Sequence, residues 1–382
     1  MVKDVTDGRR QQIAGSKRWV VKIGSALLTH HDRGLNTQGI ADWVQQVVEL
    51  LRSQKEVVLV SSGSVAEGMH RLSKSARPEK LHELQACAAV GQMGLIQAYE
   101  SEFMRYGVHT AQILLTHDDL ADRSRYLNLR RVLRNLIELG VVPIINENNS
   151  VTTDEIHLGD NDTLAASVAN LWDADLLVIL TDTKGLYSSD PRLDASATLV
   201  SVANVEDAGL DSMVGGSLSG LGLGGMVTKL EAARKAARSG AWTWLMSGFQ
   251  ERSLLQLAAG GEVGTLLYTD QTVWAAKKRW LASHLQMKGV LTLDEGAVKA
   301  LRQGGVSLLA VGVVAAEGEF ARGDMVSCHD RSGNRVACGL VNYPLGDVLQ
   351  LLGKSTHQIQ EVLGYANEDE LIHCDNMVLE DA

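Results

Sequence analysis

The chain has 382 residues, of which 45% are hydrophobic, 4% aromatic and 21% charged, with a formal net charge of −10 at pH 7. Its length exceeds the roughly 100–200 residues of one typical domain and predicts two, and its hydrophobic content excludes a globally disordered chain. The acidic balance excludes a protein whose main task is to grip nucleic acid by its phosphates, though not a local basic site.

Residues 1–17 are polar, lack the apolar core of a signal peptide, and read as a loosely attached or disordered N-terminal extension. Strand and helix signals then alternate. Residues 19–23 read as a strand, 38–53 as a helix, 57–60 as a strand, 81–106 as a helix and 110–115 as a strand. The helix 126–139, strand 141–146, helix 162–172 and strand 176–181 follow. Such alternation predicts βαβ units and a mostly parallel sheet, and the wholly apolar runs 57–60 and 176–180 suit strands covered on both faces. Six glycines fall within residues 215–225, ahead of a helix at 226–239 and a strand-like run at 241–246. Beyond 288 the pattern changes. Short strands at 290–293, 307–314, 324–329 and 335–341, with one helix at 295–303, predict a small β-barrel. The stretch 271–287, rich in Trp, Lys and Arg, is expected to connect the two parts. No apolar run approaches the roughly 18 residues of a membrane span. Cys87, Cys328, Cys338 and Cys374 form no CxxC pair and read as buried thiols of a reducing compartment. The expectation is a cytoplasmic protein without membrane contact.

The polar residues gather in loops that follow strands, where ligands bind in doubly wound sheets. Lys22-Ile23-Gly24-Ser25 offers a cation and close backbone approach, as a phosphate requires; alone, it also reads as an ordinary strand-end turn. Ser61-Ser62-Gly63-Ser64 opens a helix, an end that favours anions, although a plain serine cap looks the same. Two acid–amide clusters, IINENNSV ending at Val151 and GDND ending at Asp162, lie close together in sequence. A helix cap accounts for one of them, whereas polar groups this dense beside apolar strands suit a ligand. The next strand ends in Thr181-Asp182-Thr183-Lys184-Gly185. Residues 220–225 match G-x-G-x-x-G, but no strand precedes them and no acidic residue follows at the required distance, which excludes a dinucleotide site. A glycine loop ending in Lys229 at a helix start reads instead as a phosphate cradle. Two lysines, several glycine loops and an acid–amide cluster suit phosphoryl transfer, in which a protein mainly positions reactants and neutralises charge.

In this order and spacing, VVKIGSALLT, VSSGSVAEG, AAVGQMGL, the DRxRYLN of Asp122–Asn128, PIINEN, GDNDTLAA, LTDTKGLY, DPR and GLGLGGMVTK resemble the amino acid kinase family. Within it they are similar to the glutamate 5-kinases, over about residues 18–365. The tail from about Lys288 resembles a PUA domain, a small barrel often found in RNA-modifying enzymes. The resemblance implies an α/β fold with a mostly parallel open sheet sandwiched by helices, plus a small C-terminal β-barrel. The kinase domain would span 18–270, the connector 271–287, the PUA domain 288–366 and a tail 367–382.

The resemblance also implies ATP-dependent phosphorylation of the side-chain carboxylate of L-glutamate to L-glutamyl 5-phosphate, the first step of proline biosynthesis. Mg2+ would accompany ATP, with no side chain assigned as its ligand. Lys22 and Lys229 would be catalytic and hold the phosphates, with Asp162 orienting them. Gly24 and Gly63 would let backbone N–H groups approach the phosphates and the substrate. Thr181, Asp182 and the loop Gly224, Gly225, Met226, Val227, Thr228 and Lys229 would contact ATP. Ser62, Asn149 and Asn161 would contact glutamate. A glutamyl phosphate reductase that receives the product, proline as feedback inhibitor, and a homo-oligomer, dimer or tetramer, are the implied partners. The chain departs from the family at Asn149, where Asp is usual, and at Leu223, where a polar residue is common. If Asn149 faces the substrate ammonium, the first exchange removes a charge-assisted hydrogen bond. Residues 288–382 carry 14 Asp and Glu against 7 Lys and Arg, a net of −7. RNA binding by this part is therefore not expected, and a role in regulation or assembly is.

Overall fold

The structure, a computed structural model, describes residues 13–30, 34–151, 160–214, 225–270, 287–366 and 368–380. The chain forms two units. The first comprises Met1–Ala121 with Leu129–Ala276, the second Asp122–Asn128 with Lys277–Ala382. Residues 1–12, residues 271–286 of the expected connector 271–287, and Leu223 and Gly224 lie outside the described residues.

In the first unit the main sheet's strands are β1 (Arg18–Ile23), β2 (Glu56–Ser61), β3 (Thr110–Leu115), β4 (Val142–Glu147), β5 (Leu176–Thr181), β6 (Val202–Asn204), β7 (Trp242–Ser247) and β8 (Thr265–Tyr268). They form one sheet in the order β3-β4-β2-β1-β5-β7-β8-β6. All neighbours are parallel except β7 and β8. The central strands are buried on both faces, as the apolar runs 57–60 and 176–180 suit. β6 and β8 are only three and four residues long and left no sequence signal.

The main helices of this unit are α1 (Thr37–Arg52), α2 (Ser64–Arg71), α3 (Leu81–Met104), α4 (Arg123–Glu138), α5 (Asp160–Trp172) and α6 (Met226–Ala237). The first residues of α4 belong to the second unit. α1 is capped by the Asn36 side chain, which accepts from the Gly39 N–H, and buries Ile40, Trp43, Val44, Val47 and Leu50. Burial of each such side chain is worth about 1.5–3 kcal/mol. α2 and α3 cross at two glycines. A Cβ at Gly68 would lie 1.7 Å from the Cys87 carbonyl oxygen, and one at Gly91 1.9 Å from that of Ser64. Only glycine permits backbones so close.

From β1 the chain moves to β2 on one side and returns to β5 on the other, so the strand order reverses at β1. Ile23 pairs with both Ser61 and Leu180, which brings the carboxyl ends of β1, β2 and β5 level. A crevice for ligands belongs there.

The expected loose extension ends earlier than residue 17. Ile13 is 2% exposed, and Lys55 Nζ donates to the carbonyls of Ala14 and Ser16. One apolar side chain and two hydrogen bonds from one ammonium dock residues 13–17 onto the core.

The second unit contains β9 (Gly289–Leu293), a helix α7 (Glu295–Gln303), β10 (Val313–Gly318), β11 (Met325–His329), β12 (Arg335–Leu340) and β13 (Met377–Leu379). The strands make a mixed sheet in the order β10-β9-β11-β12-β13. The expected strand at 307–314 is corrected: Ala310–Gly312 is a 3-10 turn and the strand starts at Val313. Leu308 and Ala310 are buried in the core, and an apolar run alone does not separate a buried turn from a strand. The unit also continues beyond residue 366, where a tail was expected. β13 pairs with β12, and Leu371, Ile372 and Met377 join the core. Asp122–Asn128, expected within the kinase domain, groups with this unit, where Leu127 packs with Met325, Cys338, Leu340 and Val378. The four cysteines are free thiols, and burial, with Cys338 beside it, pushes the Cys328 thiol up to about 12. Among the described residues no helix is long and apolar enough to cross a membrane.

Candidate active site

β1 delivers Lys22 among apolar neighbours, so its stem is buried and its ammonium must find a partner at the strand end. That partner is Asp162, in the first turn of α5. Lys22 Nζ lies 2.6 Å from Asp162 Oδ1, and Lys229 Nζ donates to Asp162 Oδ2 at 3.2 Å. The Thr228 hydroxyl lies 2.9 Å from the same Oδ2 and equally near the Gly225 carbonyl. Asp162 is 0% exposed, Lys22 5% and Lys229 7%.

Buried charge is tolerated only when paired, and here one carboxylate serves two ammonium groups. The trio is therefore net positive. Burial, aided by the charge of Lys229, drives the Lys22 ammonium below its ordinary pKa of 10.5 despite Asp162. Burial alone would raise the pKa of Asp162. The charges of Lys22 and Lys229 and the hydrogen bonds from Lys22 and Thr228 outweigh it and hold the carboxyl below the usual range. Asp162 is thus ionised near neutral pH and acts as an anchor rather than a proton acceptor. A phosphate arriving at the two lysines supplies the negative charge that the trio lacks.

The N-terminus of α6 meets this trio. Gly225 is its N-cap, and Met226, Val227, Thr228 and Lys229 form its first turn, whose backbone N–H groups and dipole favour an anion. Val227 is 43% exposed, and its backbone lies in the first turn of α6. Thr181 and Asp182 follow β5, with the buried Thr181 hydroxyl donating to the exposed Asp182 carboxylate at 3.0 Å. The Gly24 N–H is already used: it donates to Leu180 O at 3.2 Å and ties the β1 loop to β5. A Cβ at Gly24 would stand 3.2 Å from the Leu180 carbonyl oxygen, so glycine keeps this close approach of the β1 loop to β5 uncrowded. Gly63 caps α2 with φ +91, a backbone state that suits only glycine.

A second, uncharged cluster adjoins the trio. Asn161 precedes Asp162, so the two side chains leave α5 in different directions. Asn161 Nδ2 lies 2.8 Å from Ser61 O, 2.9 Å from Ser62 Oγ and 3.0 Å from Asn146 Oδ1. Asn146 Nδ2 in turn donates to Gln92 Oε1 at 2.8 Å. Asn149, 7% exposed, donates through Nδ2 to Glu147 O at 3.3 Å. Its Oδ1 has no hydrogen-bond partner among the described residues.

Of the expected site residues, Lys22, Asp162, Thr228 and Lys229 thus form one cluster, while Ser62 and Asn161 belong to the other. Gly224 lies outside the described residues. Asn146 and Gln92 were missed. Asn146 stands within the quoted PIINEN. Gln92, an amide between Gly91 and Gly94 in an apolar helix, was the available signal.

The class follows from comparison over these same residues. The amino acid kinase family model matches residues 17–244, and the chain belongs to that family. A PUA domain model matches residues 289–363, within the second unit. Similar proteins include glutamate 5-kinases. Those of Stutzerimonas stutzeri (strain A1501) and Pseudomonas aeruginosa (strain UCBPP-PA14) are 58% and 57% identical over 370 residues, each covering 97% of this chain and 100% of the relative. That of Methylococcus capsulatus (strain Bath) is 55% identical, covering 97% and 99%.

Proposed function

We propose that this chain transfers the γ-phosphoryl group of ATP to the side-chain carboxylate of L-glutamate, forming L-glutamyl 5-phosphate in the first step of proline biosynthesis. The observation that carries the reading is the pair Asn161–Asp162. One residue anchors the two phosphate-type lysines and its neighbour anchors an amide cluster suited to an amino acid, so donor and acceptor meet across one helix turn. Use of ATP follows from membership of the kinase family.

The glutamate side chain, with an ordinary pKa of about 4.3, is already ionised near neutral pH and needs no base. Its oxygen attacks the γ-phosphorus. The bond from that phosphorus to the bridging oxygen breaks, and ADP leaves with the electron pair. Lys22 and Lys229 neutralise the charge that builds on the transferred group, and Asp162 keeps both in place. Thr228 and the N-terminal turn of α6 add donors, Thr181 and Asp182 contact the nucleotide, and Gly24 and Gly63 allow close approach. Loss of one such stabilising group typically lowers kcat by about 10²–10³.

Mg2+ fits this site as a passenger of the nucleotide. Both Asp162 oxygens are taken by ammonium and hydroxyl groups, and the described residues of the first unit hold no group of three metal-type ligands. Magnesium prefers phosphates and water to an all-protein cage, so the ATP phosphates would hold it, where it neutralises nucleotide charge. The proposal extends to a cytoplasmic dimer or tetramer, inhibited by proline, whose labile acyl phosphate passes to a glutamyl phosphate reductase. The acidic second unit serves regulation or assembly rather than RNA.

The test is magnesium-dependent ADP release with glutamate, aspartate, acetylglutamate or no acceptor, with hydroxylamine present to trap the acyl phosphate. Glutamate-specific turnover with hydroxamate formation is expected. Turnover with another carboxylate only, or none, would refute the assignment.

A further inference from the structure

Gln92 projects from α3 into the amide cluster and is 9% exposed. Its Oε1 accepts from Asn146 Nδ2, but its Nε2 has no hydrogen-bond partner among the described residues. This polarity is not an arbitrary choice of amide orientation. The backbone N–H of Glu147 donates to Asn146 Oδ1 at 2.9 Å, and a backbone N–H cannot accept. Asn146 must therefore turn its NH2 to Gln92, and Gln92 must answer with oxygen. Its own NH2 is left as an unmet buried donor. By the same reasoning Asn149, whose NH2 faces the Glu147 carbonyl, is left with an unmet buried acceptor. The contact of Gly91 with Ser64 O fixes the helix that carries Gln92.

A buried polar atom without a partner is costly, and most are satisfied. Two unmet atoms of opposite polarity, Gln92 Nε2 and Asn149 Oδ1, match the two ends of an α-amino acid. Its carboxylate only accepts and its ammonium only donates. We propose that Gln92 Nε2 donates to the α-carboxylate of the amino-acid substrate, making Gln92 a specificity residue that selects acceptors bearing that group. This deepens the glutamate reading and rests on it.

The test uses the full-length protein and compares L-glutamate with 4-aminobutyrate, which keeps the ammonium and the reacting carboxylate but lacks the α-carboxylate. Gln92→Glu retains the acceptor for Asn146 and turns the free arm into an acceptor. It is expected to raise KM for glutamate about 10- to 100-fold, the weight of one hydrogen bond to a charged group. KM for ATP should stay unchanged. The inhibition constant of 4-aminobutyrate, measured against glutamate, should move less than threefold. Should Gln92→Glu fail to fold, Gln92→Met carries the same comparison. Equal losses for both ligands would mean a structural role and overturn the proposal, as would a glutamate KM shifted less than threefold. Failure of the wild-type protein to phosphorylate glutamate would instead refute the underlying reading.

Discussion

Replacing Asp162 with Asn removes one negative charge and little volume from a fully buried position. Two ammonium groups, 5% and 7% exposed, then face each other without the carboxylate that lies 2.6 and 3.2 Å from them. Removing one partner of a buried ion pair costs about 3–5 kcal/mol. At roughly 2–4 °C per kcal/mol for a unit of this size, the melting temperature should fall by about 6–20 °C. Lys22 titrates below 10.5 already, and losing the carboxylate that opposes this lowers it further. The deficit should therefore shrink as pH rises and Lys22 becomes neutral. ATP, whose phosphates replace the lost charge, should recover much of the stability. Turnover should drop at least 10²-fold because neither lysine is held in place. Melting curves at several pH values, with and without ATP, and steady-state kinetics test all of this together. A variant with unchanged melting temperature and kcat within threefold of wild type would refute the role of the carboxylate as an anchor.

Lys229→Ala should lower kcat by about 10²–10³ while KM for glutamate stays within threefold; unchanged turnover would remove the residue from the site. Asn149→Asp should lower KM for glutamate several-fold by giving the ammonium a charged acceptor, and an unchanged KM would show that the side chain faces elsewhere. Turnover should have an alkaline limb below pH 10.5, where Lys22 loses its proton, and saturating ATP should move that limb upward. Stability responds to the same group with the opposite sign. Between the lowered folded pKa and 10.5 the unfolded chain binds more protons, so this group's contribution rises with pH. A kcat profile flat to pH 10.5 would contradict the role of Lys22.

The alternation of strands and helices was legible because β1, β2 and β5 are covered on both faces, so their interiors are apolar and their polar residues fall at or next to the strand ends. Short edge elements were not, since three or four residues in β6 and β8 carry no period. Residue patterns alone gave Lys22, Asp162 and Lys229 as parts of separate loops, and only the family resemblance joined them. Their meeting needs the level ends of β1 and β5 and the crossing of α5 with α6. Gln92 was hidden because its chemistry lies in which of its two amide atoms is left over, and a backbone N–H remote in sequence decides that.

The sequence by itself determined the fold class, the order of the strands' loops, and the supply of cations, carboxylates and amides at strand ends. These follow from local periodicity and from what apolar strands exclude. The tertiary structure decided which groups share charge and which polar atoms stay unmet. It also showed that residues 13–17 and 368–380 belong to the packed units. These properties depend on distances between residues far apart in the chain, which no local pattern encodes.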